Sequence, residues 1–407
     1  MPRFEPFAGL RYAPTVDMSD ATAPPYDVIS PVERAELAGR HPANAVHMDL
    51  PDEADGPERY HLAAAALARL QEEGVLRTDP QPAFYVYRML FADDDGQERY
   101  TTGVLGALEL TRPEEGQILP HEHTTPKAKS DRLDLLRATA HNLSPIWGLT
   151  PAVGLTALIE PLTEAPALAS AFDEDDFLHQ LWVLDDPAVV DAVRAVVASR
   201  PLIVADGHHR YETSLAYRDE RRAAAGRPND EPDGEPAGYD STLAFVIELS
   251  DEQLAVRAIH RLVTGLPFGA DIFGIFGERF EIRAHRLNDL QPATLVEEGA
   301  IGMVLPGSEG FLLRPRPGAF DPSLPDLDSA RIAVALAELP PHEVVYQHGV
   351  DNVLDAMVSR EAQMGLLLRP ATVAQIAATA EGGQRMPPKT TFFWPKPRTG
   401  FVYRDLG

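Results

Sequence analysis

The segment Pro201–Ala216 constrains the fold more than any other part of this sequence. A short apolar run typical of a buried strand, residues 202–204, stops at an Asp-Gly pair, and a helical pattern begins at once. The first amides of a helix have no intrahelical partner and carry partial positive charge, and Gly207 has no Cβ to keep an anion from the backbone. The polar groups at this corner are Asp206, His208, His209 and Arg210.

This corner predicts a cradle for a phosphate or a carboxylate. In the simpler interpretation Asp206 is only an N-cap, and the histidines are ordinary surface or core residues. Four polar groups beside one glycine are more than capping requires, and ligands of open α/β sheets bind outside the carboxyl ends of the strands. We therefore favour the anion site, with Gly207, His208, His209 and Arg210 as phosphate-binding candidates.

Strand and helix patterns along the rest of the chain predict a mixed α/β fold. We expect an N-terminal domain over residues 1–263 and a smaller α/β domain over residues 264–407, because 407 residues can form two cores. Ser30 is predicted to open a helix with a capping box, and Ser130 to cap another helix with Asp131 in its first turn. Strands are predicted at 84–91, 99–110, 242–249, 254–260, 280–284, 301–305 and 310–313. Later helices are predicted near 187–198, 328–338, 350–358 and 372–380.

Net charge limits the partners. The formal charge is −26 and the pI about 4.8, which argues against nucleic acid and against an anionic membrane surface. A small anionic metabolite still fits, since a local basic cluster reverses the field inside one cleft. The chain has no cysteine, no signal-like N-terminus and no long apolar run, so we expect a cytoplasmic protein. The oligomeric state stays open, with a homodimer as one option.

A second dense polar cluster lies between residues 119 and 132. Its members are His121, Glu122, His123, Thr124, Lys127, Lys129, Asp131 and Arg132. Several cations around one carboxylate suit a phosphorylated ligand, and Glu122 could act as a general base if a cleft raises its pKa. The alternative is a solvated charged loop before a helix. Zinc is disfavoured, because His121 and His123 lack the helical His-Glu-x-x-His pattern.

Weaker candidates lie outside these two clusters. Tyr26, Asp27 and Asn142 are candidates for lining a substrate cleft. Residues 389–391 are polar, but a polar strand start is the favoured interpretation there. No Walker A loop, kinase glycine loop or Gly-x-Ser-x-Gly elbow is present, so the common nucleotide and serine-hydrolase folds are unsupported.

Six segments in order along the chain resemble the family called domain of unknown function 1015. They are Pro24–Ser30, Leu119–Thr124, Lys129–Leu133, Asn142–Ile146, Ala205–Thr213 and Met386–Thr391. The two dense clusters are also similar to motifs of the free-serine kinases of the ParB/sulfiredoxin superfamily. That similarity implies a ParB/sulfiredoxin-like nucleotide-binding core and a small-molecule kinase that uses Mg²⁺ and ADP or ATP.

The kinase resemblance also implies roles for individual residues. His121 and Glu122 match a His-Glu pair whose carboxylate activates the substrate hydroxyl. Asp206 would help to hold magnesium, and residues 207–210 would bind phosphate. Glu122 and Asp206 lie 84 positions apart, wider than in those compact kinases.

Three functions follow from these observations. The favoured one is a nucleotide-dependent phosphotransferase acting on a small hydroxylated metabolite, with serine as the first candidate. A phosphohydrolase would use the same phosphate cradle and let water attack. A non-catalytic nucleotide or metabolite sensor would bind without turnover. The DNA-binding branch of the superfamily is disfavoured by the net charge.

Overall fold

The computed structural model describes residues 1–93, 96–120, 126–227, 236–250, 252–307, 309–384 and 386–407, with the backbone alone for Pro120, residues 126–129 and Glu381. These residues form two compact units. The first contains Met1–Pro120, residues 126–255 and Pro395–Gly407, and the second contains Val256–Trp394. No helix within the described ranges combines the length and apolar character needed to cross a membrane.

The first unit is built on one large mixed sheet. The strands of this unit are β1 (Phe4–Glu5), β2 (Leu10–Tyr12), β3 (Leu76–Thr78), β4 (Phe84–Ala92), β5 (Glu98–Glu109), β6 (Ile118–Pro120), β7 (His141–Asn142), β8 (Ile146–Thr150), β9 (Ala169–Phe172), β10 (Leu178–Leu184), β11 (Leu202–Asp206), β12 (Ser241–Glu248) and β20 (Arg404–Asp405). The sheet order is β6-β11-β8-β12-β5-β4-β10-β9, with β1 on β5. Two short pairs, β2–β3 and β7–β20, lie outside it.

Helices cover this sheet and complete the core. They are α1 (Met18–Ala21), α2 (Pro31–Arg40), α3 (Val46–Asp49), α4 (Arg59–Glu72), α5 (Pro126–Thr139), α6 (Leu155–Ile159), α7 (Pro187–Val197) and α8 (His208–Ala224), with a 3₁₀ turn at Tyr26–Val28. Apolar residues of β4, β8, β11 and β12 form one buried cluster with α6, α7 and the start of α8. Because β11 is buried along residues 202–205, it reads as a continuous apolar run in the sequence.

The second unit has its own sheet and core. Its strands are β13 (Ala255–Thr264, whose first residue belongs to the first unit), β14 (Phe280–His285), β15 (Ile301–Leu305), β16 (Glu309–Pro315), β17 (Glu343–His348), β18 (Met364–Leu367) and β19 (Thr391–Trp394). The sheet order is β14-β16-β15-β18-β13-β17, with β19 on β13. The helices are α9 (Ile272–Arg279), α10 (Pro292–Glu298), α11 (Asp328–Leu336), α12 (Val350–Val358) and α13 (Val373–Glu381).

Most sequence-based elements are confirmed. The mixed α/β class holds, β4 and β5 form the antiparallel hairpin, and the later strands and helices occur where their patterns predict them. The Ser30 hydroxyl accepts from the Glu33 amide while the Glu33 carboxylate accepts from the Ser30 amide, which is the predicted capping box. Thr391 begins β19, so the strand-start interpretation of residues 389–391 is also confirmed.

One helix start is wrong, and the compact units differ from the predicted domains. Helix α5 begins at Pro126, four residues before the predicted cap at Ser130, because proline is favoured in the first turn of a helix. The units divide at Ala255 rather than at Val263, since most of β13 pairs within the second sheet. Residues 395–407 return to the first unit, where β20 pairs with β7. Whether each unit folds as a separate domain stays a prediction.

Candidate functional site

The predicted corner is formed by β11, Gly207 and α8. Gly207 has a left-handed backbone with φ of 84° and is itself the N-cap of α8, so the interpretation of Asp206 as a simple N-cap is wrong. Asp206 is instead the last residue of β11. A Cβ on Gly207 would lie 3.0 Å from Arg210 Nε and 3.1 Å from Ile146 Cα. Glycine therefore lets the Arg210 guanidinium lie directly against the turn.

The Asp206 carboxylate binds two cations. Its Oδ2 accepts from Arg210 Nη2 at 3.0 Å, and its Oδ1 accepts from Lys396 Nζ at 3.1 Å. Burial acts to raise the pKa of Asp206, but the charges of Lys396 and Arg210 outweigh it and hold this pKa below its ordinary value. The nearby charge of His208 acts in the same direction. Asp206 is therefore a fixed anion at neutral pH.

Arg210 is held from two sides and keeps one donor without a partner. Nη1 donates to the carbonyl of Pro145, and Nη2 donates to Asp206. Within the described residues, Nε has no hydrogen-bond partner although it is shielded from solvent. A buried donor without a partner is costly, so an acceptor from a ligand would be favourable here.

Lys396 is a site residue that the sequence reasoning missed. It lies 190 residues after Asp206 in the sequence, on the segment Pro395–Gly407. Its ammonium lies 3.7 Å from Asp27 Oδ2 as well as 3.1 Å from Asp206 Oδ1. Burial acts to lower the pKa of Lys396, but the two carboxylates raise it above its ordinary value. No local sequence pattern around residue 396 predicts this contact.

The predicted residues Tyr26, Asp27 and Arg132 lie at the same site. The Arg132 guanidinium stacks 4.1 Å from the centre of the Tyr26 ring, which the turn Tyr26–Val28 presents next to Asp27. Burial raises the pKa of Tyr26, while the charges of Arg210 and Arg132 act to lower it. Tyr26 therefore lies within the field of both arginines.

Arg132 is fixed by Asp49, a second residue that the sequence reasoning missed. Arg132 Nη1 donates to the Asp49 carbonyl at 2.7 Å and to its Oδ1 at 3.3 Å. Both side chains are about 6% exposed. Burial raises the pKa of Asp49 although Arg132 and Arg210 act to lower it. Only the tertiary fold brings Asp49, at the end of α3, to Arg132.

Asp131 helps to hold Arg132 and does not serve in a first helical turn. Its Oδ2 lies 3.0 Å from Arg132 Nη2, and its Oδ1 accepts from Arg59 at 2.6 Å and from Tyr60 at 2.9 Å. Asp131 thereby links α5 to α4. These contacts lower its pKa against the opposing effect of burial.

A small cavity adjoins Arg210 within the first unit. It offers about 50 Å³ to the centres of water molecules. A buried water needs roughly 10–15 Å³ by this measure, so the cavity accommodates a few waters or a group as small as a carboxylate. The lining residues are Asp49, Arg132, Leu135, Leu136, His141, Asn142, Leu143, Ser144, Arg210, Thr213, Ser214 and Thr242.

Some polar atoms around this cavity have hydrogen-bond partners among the described residues, and others do not. The Thr213 hydroxyl is buried without a hydrogen-bond partner in the described part of the chain. Asn142, a predicted lining residue, already accepts from the Leu243 amide at 2.9 Å and from Arg404 at 3.4 Å through its Oδ1. Asn142 is therefore tied into the framework, whereas Thr213 and Arg210 keep donors for a ligand.

The remaining predicted residues are placed only in part. His208 and His209 lie in the first turn of α8, half-buried. The second cluster's first members lie outside the described residues, and the side chains at 127 and 129 on α5 do too. The residues of the second cluster that lie outside the described part of the chain are His121, Glu122, His123 and Thr124.

The strand before the second cluster, β6, lies next to the strand that ends at the corner. β6 pairs in parallel with β11, with Leu119 opposite Ile203 and Pro120 opposite Val204. The chain therefore leaves the sheet at the same edge after Pro120 and after Asp206. Helix α5, which carries the later residues of the second cluster, packs against α8, which follows the corner.

The described residues do not fit a preformed magnesium site. Both oxygens of Asp206 are engaged by cations, and no group of three potential metal ligands occurs among the described residues. Mg²⁺ is usually held by one or two carboxylates together with waters and ligand phosphates. A divalent cation at Asp206 would have to displace Lys396, so the magnesium role of Asp206 stays a prediction of the kinase resemblance.

A family model described as a protein of unknown function, DUF1015, matches residues 4–330. The chain belongs to the DUF1015 family. This match confirms the resemblance to the DUF1015 family drawn from the sequence motifs. The matched range contains the corner, the second cluster and the turn at Tyr26 of this DUF1015 protein, and it ends before Lys396. No curated protein sequence matches the chain.

Three solved structures are similar to this DUF1015 protein at a low level. A conserved hypothetical protein from Pyrococcus furiosus is 13% identical with a TM-score of 0.37, covering 74% of this chain and 93% of the other. A free serine kinase in complex with AMP is 13% identical with a TM-score of 0.38, covering 75% and 91%. SbnI with a C-terminal truncation from Staphylococcus aureus is 12% identical with a TM-score of 0.41, covering 74% and 87%. TM-scores of this size carry no argument about function.

Proposed function

We propose that this chain is a nucleotide-dependent phosphotransferase that acts on a small hydroxylated metabolite. The observation that carries the proposal is the parallel pairing of β6 with β11, because the second cluster follows the end of β6 and the corner lies at the end of β11. Ligands of such sheets bind outside the carboxyl ends of parallel strands. The pairing therefore supports one shared site for the second cluster and the Asp206–Arg210 corner.

The corner supports binding of the nucleotide phosphates. Gly207 begins a helix of 17 residues, α8, without a side-chain cap, and the first amides of a helix favour an anion. Arg210 adds a fixed positive charge and an Nε without a partner. Phosphoryl transfer depends mainly on positioning and on neutralising charge, and these groups supply both.

The second cluster would act on the acceptor. In the proposed reaction the metabolite hydroxyl oxygen attacks the terminal phosphorus of the nucleotide, and the bond from that phosphorus to the bridging oxygen breaks. The hydroxyl proton passes to Glu122 as general base. The cavity beside Arg210 suits the small polar end of the acceptor, since it accommodates a group of carboxylate size.

A turnover assay tests the proposal. Purified chain, magnesium and either ADP or ATP are incubated with serine and a panel of other hydroxylated metabolites, and the phosphorylated product is followed. We expect product with the native chain, a large loss in Arg210→Gln, and no loss in Arg137→Gln, whose exposed guanidinium pairs with Glu220 on α8. Absence of product across the panel would contradict the proposal.

The same assay separates the two alternative functions. Release of inorganic phosphate without an acceptor would favour a phosphohydrolase. Nucleotide binding without turnover, retained in Glu122→Gln, would favour a sensor.

A further inference from the structure

Lysine is scarce in this sequence. Of the 36 lysine and arginine residues, only four are lysines, at positions 127, 129, 389 and 396. Arginine is thus the usual basic residue of this chain, and the four positions that carry lysine instead are candidates for a specific need for an ammonium. An ammonium is a compact charge with three donors, whereas a guanidinium is a planar fork, and the two are not interchangeable at a tight site.

Lys396 is held in a fixed position. It lies between two prolines, whose rings restrict the backbone. Two residues later, the buried Arg398 donates to Thr22 Oγ1 at 2.8 Å and to the Thr22 carbonyl at 2.9 Å, and it pairs with Glu174 at 2.6 Å. The segment that carries Lys396 is therefore tied to the N-terminal part of the first unit.

The Lys396 ammonium joins two parts of the candidate site. It lies 3.1 Å from Asp206 Oδ1 at the corner and 3.7 Å from Asp27 Oδ2 on the turn after the double proline. Arg210 binds the other oxygen of Asp206. The formal charges of the two cations, Lys396 and Arg210, therefore balance those of the two carboxylates. The ammonium, a compact charge with three donors, contacts both carboxylates at once.

We propose that Lys396 is an anion-binding residue of this site, with its ammonium binding a phosphate oxygen of the ligand. Asp206 and Asp27 hold the ammonium in position. The inference rests on the proposed function, because it takes the ligand phosphate to lie at the Asp206–Arg210 corner. A buried ion pair adds little net stability compared with apolar side chains, so stability alone does not account for Lys396.

Calorimetric titration with ADP tests this role, using Lys396→Met, Lys396→Arg and the control Arg137→Met. Arg137 is a half-exposed cation of the same unit, and it pairs with Asp134 and Glu220 instead of Asp206. We expect Lys396→Met to weaken ADP binding by about tenfold or more, the lower end for a hydrogen bond to a charged group. Lys396→Arg should recover only part of this loss, and Arg137→Met should bind like the native chain.

A second measurement follows ADP binding at Lys396 in the native chain itself. The native chain labelled with ¹³C-lysine gives side-chain signals from four lysines, and Lys396→Arg identifies the signal of Lys396. We expect ADP to shift this signal and adenosine, which lacks phosphate, to leave it unmoved. An unmoved signal at saturating ADP, or equal affinity of Lys396→Met and the native chain, overturns the inference and leaves the proposed function standing. If the native chain binds neither ADP nor pyrophosphate, both fail.

Discussion

Gly207→Ala tests whether the corner requires glycine for both its backbone and its contact with Arg210. An alanine in the left-handed region costs about 1–2 kcal/mol. Its Cβ would also meet Ile146 Cα at 3.1 Å and Arg210 Nε at 3.0 Å, both closer than ordinary van der Waals contact. Overpacking of this kind costs about 1–3 kcal/mol. We therefore expect a loss of about 2–5 kcal/mol in the free energy of unfolding, measured by urea denaturation.

Gly116→Ala provides the matched control. Gly116 also has a left-handed backbone, with φ of 65°, and a Cβ there would meet nothing within 4 Å. The control should lose only the conformational part, about 1–2 kcal/mol. Because the new Cβ at 207 pushes on the guanidinium, Gly207→Ala should also weaken ADP binding, whereas Gly116→Ala should not. Equal losses of stability together with unchanged ADP affinity in both variants would refute this reasoning.

Three further variants test single groups. Arg210→Gln should weaken ADP binding by about 1.5–3 kcal/mol, roughly 10- to 150-fold, in a calorimetric titration, and unchanged affinity would contradict its role. The lowered pKa of Asp206 means that its stabilising effect is complete above about pH 5 and is lost on acidification. Asp206→Asn should therefore flatten the fall in unfolding free energy below about pH 5, and parallel curves would argue against the ion pairs. In the second unit, burial lowers the pKa of His260 to about 4. The unfolding free energy should then fall by up to about 3 kcal/mol from pH 7 to pH 4, and His260→Asn, which keeps an acceptor for the Leu368 amide, should lose this slope unless the assignment is wrong.

The elements that local chemistry determines could be predicted from the sequence. The capping box at Ser30 depends on two side chains three residues apart, and the strand–glycine–helix corner depends on consecutive residues. Hairpin β4–β5 follows from two apolar runs around a short polar turn. Each of these signals lies within about a dozen residues, so no tertiary contact is needed to recognise it.

The missed site residues have long-range causes, whereas the misplaced start of α5 has a local one. Lys396 and Asp49 reach the site from opposite ends of the chain, and only the tertiary fold brings them to Asp206 and Arg132. Ser130 has the chemistry of a cap, but Pro126 starts α5 a turn earlier. Asp131, expected in a first helical turn, is instead held by Arg59 and Tyr60 on α4.

A crystal structure of the chain grown with ADP is the most direct test of the central claim that the Asp206–Arg210 corner binds phosphate. The account predicts a phosphate oxygen within hydrogen-bond distance of Arg210 or of the first amides of α8. Phosphates bound elsewhere, with Arg210 still held between Pro145 and Asp206 and no ligand beside it, would contradict the claim.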